Sequence, residues 1–61
     1  MKIQAKDLKI GDMAQALDGN FYLIHSSGYG INDTRFRIVW GNVKTVEFIS
    51  PLRDVIIKPR Q

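Results

Sequence analysis

Two arginines, Arg35 and Arg37, stand one residue apart in the run Thr34-Arg35-Phe36-Arg37-Ile38-Val39-Trp40. In an extended chain alternate side chains leave opposite faces, so both guanidiniums project from one face about 7 Å apart. That spacing is on the scale of successive phosphates along a nucleic-acid strand. His25 is the only histidine and the only side chain whose ordinary pKa lies near neutrality. With Ser26 and Ser27 beside it, this is where a base adjoins hydroxyls. Nucleophilic catalysis would need a hydroxyl folded onto the ring and a carboxylate to orient it. Neighbours on a strand point to opposite faces, which argues against catalysis and leaves His25 as a binding residue or a plain strand-end histidine. Gly28-x-Gly30 lacks the lysine and following helix of a phosphate loop and reads as a turn. With no cysteine and one histidine there is no zinc set. No catalytic residue, metal or cofactor is expected.

If Tyr22 and Ile24 face the core, then Phe21, Leu23 and His25 point outward on the strand neighbouring the arginines. Arg35, Arg37, His25 and Phe21, rimmed by a loop carrying Tyr29, then form a face suited to single-stranded RNA or DNA. The arginines would meet phosphates while rings stack on bases. The competing reading is a solvated face on which Glu47 neutralises Arg37 across the strand pair. A second functional reading makes Trp40, Tyr29 and Phe21 anchors for a protein partner, since aromatics dominate binding hot spots. Trp40, at a hairpin end, serves either as such an anchor or as a cap on the core. Open edge strands also allow a partner strand or a second copy of the chain to pair.

These residues must be positioned by very little protein. The 61 residues make one domain, and a domain of this size buries only roughly 60% of the surface its unfolded chain exposes. A hydrophobic content of 44% supports a folded core. The net charge of +3 mildly favours anionic partners. No apolar run is long enough for a signal peptide or a membrane span, and the absence of cysteine fits a cytoplasmic protein.

Apolar residues repeat with period two and turn residues interrupt them every few positions, the pattern of an all-β fold. Extended pieces are expected at Lys2–Ala5, Met13–Leu17, Phe21–Ser26, Thr34–Trp40, Val43–Ile49 and Val55–Lys58. Asp7–Asp12 reads as a turn with Leu8 and Ile10 plugging the core. Asp18-Gly19-Asn20 is a hairpin turn, 27–33 a polar loop, and Ser50–Arg53 a tight turn. Asp7, Asp12, Asp18, Asp33 and Asp54 all fall at turns, where aspartate caps backbone N–H groups. Lys58-Pro59-Arg60-Gln61 reads as a basic tail, frayed over 59–61 and able to add a phosphate contact. In the Trp40 hairpin, pairing Phe36 with Phe48, Ile38 with Val46 and Arg37 with Glu47 buries both apolar pairs and lets the charges meet. This register requires a three-residue turn or a bulge beside Gly41.

The order Ala5-Lys6-Asp7-Leu8-Lys9-Ile10-Gly11-Asp12, a short strand, Asp18-Gly19, and a strand with Tyr22 and Ile24 resembles the opening of SH3-like barrels of the KOW type. Over roughly residues 3–49 the chain is similar to the amino-terminal domain of bacterial elongation factor P and its eukaryotic counterpart. There a strand ends in a glycine-flanked loop with a modified lysine, followed by an Arg-bearing strand. His25-Ser26-Ser27-Gly28-Tyr29-Gly30 and Thr34-Arg35-Phe36-Arg37 occupy the matching places. No lysine lies in this loop, and Tyr29 stands near its place, so the resemblance implies the barrel and not the translational role. Similar short barrels occur as stand-alone bacterial and phage proteins. Plasmid-borne dihydrofolate reductase, an enzyme on a similar barrel, carries a Val-Gln-Ile-Tyr stretch that this chain lacks. The expectation is a small SH3-like barrel of about five to six short antiparallel strands. It would act as a non-enzymatic nucleic-acid-binding module or, alternatively, as a protein-interaction module that binds or inhibits a host factor.

Overall fold

Period-two apolar alternation needs a sheet with one face on a core, and the chain builds six short strands to supply it. The computed structural model describes residues 1–60. Its strands are β1 (Lys2–Gln4), β2 (Met13–Gln15), β3 (Phe21–Tyr29), β4 (Phe36–Trp40), β5 (Thr45–Phe48) and β6 (Asp54–Ile56), with a 3₁₀ turn at Ala5–Asp7. Strands β2-β3-β4-β5 form an antiparallel meander, and β1 pairs with β6. A bridge between Ala14 and Ile57 joins the two sheets. The Met1 ammonium donates to the Ile57 carbonyl at 2.9 Å, so the two ends of the chain meet. The all-β expectation of about five to six short antiparallel strands is met by six, in a barrel-like arrangement of two sheets.

Ala5, Leu8, Ala14, Ile24, Phe36, Ile38 and Ile57 form the core, with Ile3, Trp40, Ile49 and Val55 packed around it. Within the Asp7–Asp12 turn only Leu8 plugs the core; Ile10 is 77% exposed. The Asp12 carboxylate accepts the Lys9 N–H at 2.9 Å, and this local ring holds Ile10 at its outer corner. Asp18 and Asp33 likewise accept the N–H groups of Asn20 and Arg35, at 2.8 and 2.9 Å. Asp54 departs from the pattern by standing in β6, where it pairs with Lys2 at 3.8 Å.

Strand β3 runs three residues beyond its expected end at Ser26. A bulge at His25 shifts the register, and Ser27, Gly28 and Tyr29 then pair with Ile38, Arg37 and Phe36. Gly28, at φ +138°, supplies a backbone conformation that side chains disfavour. The loop is therefore shorter than 27–33 implied, and Arg35 lies in the bend preceding β4.

The expected pairing of β4 with β5 is overturned by one residue. Arg37 faces Phe48, Ile38 faces Glu47, Val39 faces Val46 and Trp40 faces Thr45. Four residues, Gly41–Lys44, make the turn, with Gly41 at φ +81° and Lys44 at φ +51°. In this register Ile49 joins the core, and its N–H donates to the Phe36 carbonyl at 3.1 Å. Glu47 and Thr45 take inner-face positions at the open end of the barrel, where water still reaches. The apolar outer residues Val46 and Phe48 remain 49% and 46% exposed.

The tail is not free at Arg60. Its guanidinium donates to both Asp12 oxygens, Nε at 3.0 Å and Nη2 at 2.8 Å, and to the Asp7 carbonyl at 2.9 Å. Asp12 was the missing partner: an aspartate that caps its own turn still has acceptor capacity for a distant arginine. Gln61, assigned to the same tail, lies outside the described residues.

Candidate functional site

The outer face of the meander is built from positions that the pleat turns away from the core: Arg37 and Val39 on β4, Val46 and Phe48 on β5, Phe21 and Leu23 on β3. Arg35 joins this face from its bend. Its Cζ lies 3.9 Å from the centroid of the Phe48 ring, and its Nε lies 3.3 Å from Asp33 Oδ1. The Asp33 carboxyl is held below its usual range, first by the Arg35 backbone N–H and further by the arginine side chains. Arg37 makes no ion pair among the described residues. Its guanidinium runs along Gly30, where a Cβ would stand 3.6 Å from Cζ. Gly30 thus leaves the side chain a flat bed.

The register explains why Arg37 is free: Glu47, expected opposite it, is on the inner face beside Ile38. The face therefore carries two guanidiniums against one carboxylate. Lys58 adds a third cation at its far side, with Nζ 5.2 Å from the Phe21 ring centroid. A face of this kind offers cations for phosphates and flat apolar surface for bases.

Of the residues read from the sequence, Arg35, Arg37 and Phe21 fall on this face. His25 does not join them as a free side chain. It occupies the bulge, and its Nε2 donates to the Gly41 carbonyl at 2.8 Å, tying β3 to the β4–β5 turn. The carbonyl can only accept, so the hydrogen bond selects the Nε2-protonated ring. Ser27 Oγ donates to the Leu8 carbonyl at 2.9 Å and is likewise engaged. Tyr29 pairs with Phe36 and packs against it edge-to-face, with centroids 5.5 Å apart, on the opposite side of the sheet from Arg37. Phe48 and Val46 were missed, because the expected register buried them. The signal for them was Ile49, an apolar residue in phase with Thr45 and Glu47 that also needed cover.

Trp40 lies on the inner face and packs edge-to-face with Tyr22, centroids 5.2 Å apart and planes at 88°. The Tyr22 hydroxyl donates to Asp18 Oδ2 at 2.6 Å. This bond is the main cause that lowers the Asp18 pKa and raises that of Tyr22. Trp40 Nε1 is buried without an acceptor among the described residues, a cost of about 1–3 kcal/mol that the burial of the ring must outweigh. Both rings line a cleft of about 710 Å³ that opens between β2, β5 and β6. Ile49 and Val55 floor it, and Asp18, Glu47, Asp54 and Arg53 supply its charge.

No protein-family model, curated protein or solved structure matches this chain. Among the described residues no group of three or more His, Cys, Asp or Glu side chains is placed to hold a metal ion. No helix among them is long and apolar enough to cross a membrane.

Proposed function

We propose that this protein is a small non-enzymatic module that binds single-stranded nucleic acid through the outer face of β3-β4-β5. The observation that carries this reading is the pairing of two closely placed arginines, one of them without an ion-pair partner, with an exposed phenylalanine. Arg35 and Arg37 take the phosphates, Lys58 extends the cationic track, and Phe48 and Phe21, each with a cation over its ring, offer their remaining exposed surface to bases. Tyr29 and His25 contribute through the loop and the hairpin that they hold in place. The net charge of +3 supports the reading, as does the likeness of the order of parts to KOW-type barrels. The module, of bacterial or phage origin, acts in the cytoplasm, alone or docked on a ribonucleoprotein or polymerase.

The test is an NMR titration with short single-stranded RNA, single-stranded DNA and duplex DNA at two salt concentrations. Shifts should concentrate on Arg35, Arg37 and Phe48 and weaken with salt. Two phosphate contacts to a single strand carry a slope of about −1.4 in log K against log salt, so a roughly four-fold rise in salt removes about seven-fold in affinity through them. The Arg35→Ala, Arg37→Ala double variant should bind more weakly and lose that part of the salt dependence. A folded double variant that binds unchanged would overturn the proposal. Salt-insensitive capture of one protein partner in its place would favour the protein-interaction reading.

A further inference from the structure

The cleft on the other side of the sheet has the opposite character. Three carboxylates and one guanidinium line it in a chain whose net charge is +3. Of these, Asp18 is engaged by Tyr22 and Asp54 lies 3.8 Å from Lys2. Glu47 is partly buried opposite Ile38 and has no ion-pair partner among the described residues. Trp40, two residues beyond Ile38 on the same face of β4, stands perpendicular to Tyr22, and both rings line the same cleft as Glu47. Carboxylate and aromatic faces together select a cation that also has apolar surface. The volume of about 710 Å³ is in the range that holds a small ligand or a few peptide residues.

The edge of β5 completes the site. This strand ends the four-stranded sheet, so nothing pairs with its outer side. The Ile49 N–H to Phe36 carbonyl bond marks Phe36–Ile49 as a hydrogen-bonded pair, and by alternation so are Ile38–Glu47 and Trp40–Thr45. Val46 and Phe48 therefore turn their backbone N–H and C=O groups outward along the open edge. A peptide strand added there would be held by main-chain hydrogen bonds, with an inward side chain falling beside Glu47.

We propose that this cleft and edge bind an extended segment of a partner protein that inserts an arginine side chain between Glu47 and the Tyr22–Trp40 pair. Arginine is favoured over lysine because its planar guanidinium both stacks on a ring and meets a carboxylate, as Arg35 does with Phe48 and Asp33. The site is separate from the nucleic-acid face and survives the failure of that reading.

Trp40 is the only tryptophan, so its fluorescence reports the cleft directly. The probe is an acetylated, amidated valine–arginine–valine peptide, with a neutral citrulline peptide as control. Fluorescence and amide shifts over Thr45–Phe48 should titrate with the arginine peptide. The citrulline peptide, and the arginine peptide on Glu47→Gln, should each bind about ten-fold more weakly, the ratio expected for one charge-assisted contact. Unchanged urea stability of Glu47→Gln shows that the loss is not unfolding. Equal binding of the two peptides, no response at millimolar peptide, or shifts confined to the Arg35–Arg37 face would each overturn the proposal. So would a concentration-dependent dimer that fills the cleft with a second copy.

Discussion

Replacing Arg60 with alanine should remove a readily measured part of this domain's stability, although the residue is next to last in the chain. The Asp12 side chain is 6% exposed and that of Arg60 36%. Two guanidinium hydrogen bonds, at 3.0 and 2.8 Å, and one backbone N–H at 2.9 Å satisfy the carboxylate. In Arg60→Ala only the Lys9 N–H remains for a carboxylate still held out of water. Breaking a fully buried pair costs about 3–5 kcal/mol. Arg60 is solvated, so screening, and water reaching the carboxylate once the guanidinium is gone, bring the loss well below that limit. A 61-residue domain has a total stability of roughly 3–9 kcal/mol, so the loss is a readily measured share of the total. Urea denaturation of the wild type, Arg60→Ala, Asp12→Asn and the double variant measures both the loss and the coupling. The pH dependence gives an independent check. The hydrogen bond from Arg60 is the main cause that holds the Asp12 carboxyl below its usual range. A carboxyl whose pKa is lower in the folded state stabilises the fold fully above its unfolded pKa of about 3.9 and loses that effect as pH falls through the folded value. The difference between wild type and Arg60→Ala should therefore be constant near neutrality and shrink in acid. A loss under about 0.5 kcal/mol at neutral pH, or one that does not shrink in acid, would refute the ion-pair reasoning.

Two further predictions address the backbone. Val39 and Val46 face each other as a non-hydrogen-bonded pair, the arrangement with the closer side chains. The Val39→Cys, Val46→Cys variant should therefore oxidise readily to a disulfide. Failure to cross-link, with facile cross-linking of Ile38→Cys, Val46→Cys instead, would restore the register expected from sequence. Gly28 has φ +138° with nothing within 4 Å of an added Cβ, so Gly28→Ala should cost about 1–2 kcal/mol through backbone strain alone. This is read as a lower urea midpoint at unchanged slope; an unchanged or raised midpoint would show that β3 does not take this conformation beyond its bulge.

The all-β architecture was legible because it rests on local signals. Period-two alternation, the Asp18-Gly19-Asn20 turn and the Ser50–Arg53 turn each act over a few residues, and they persist in the structure. The outward direction of Arg37 was legible for the same reason, whereas Arg35 reaches that face from the bend before β4, stacked on Phe48. What the tertiary structure decided were choices between locally equivalent alternatives. Val46 and Phe48 fit a core face as well as Glu47 and Thr45 fit a solvated one, until Ile49 had to reach the core and the barrel end stayed open to water. That single-residue shift freed Arg37, exposed Phe48 beneath Arg35 and carried Glu47 into the cleft. The bulge at His25 depends on a carbonyl sixteen residues away, and Asp12 finds Arg60 across forty-eight. Local alternation determines which residues share a face of a strand, whereas pairing register and long-range partners depend on how all the strands close around one small core.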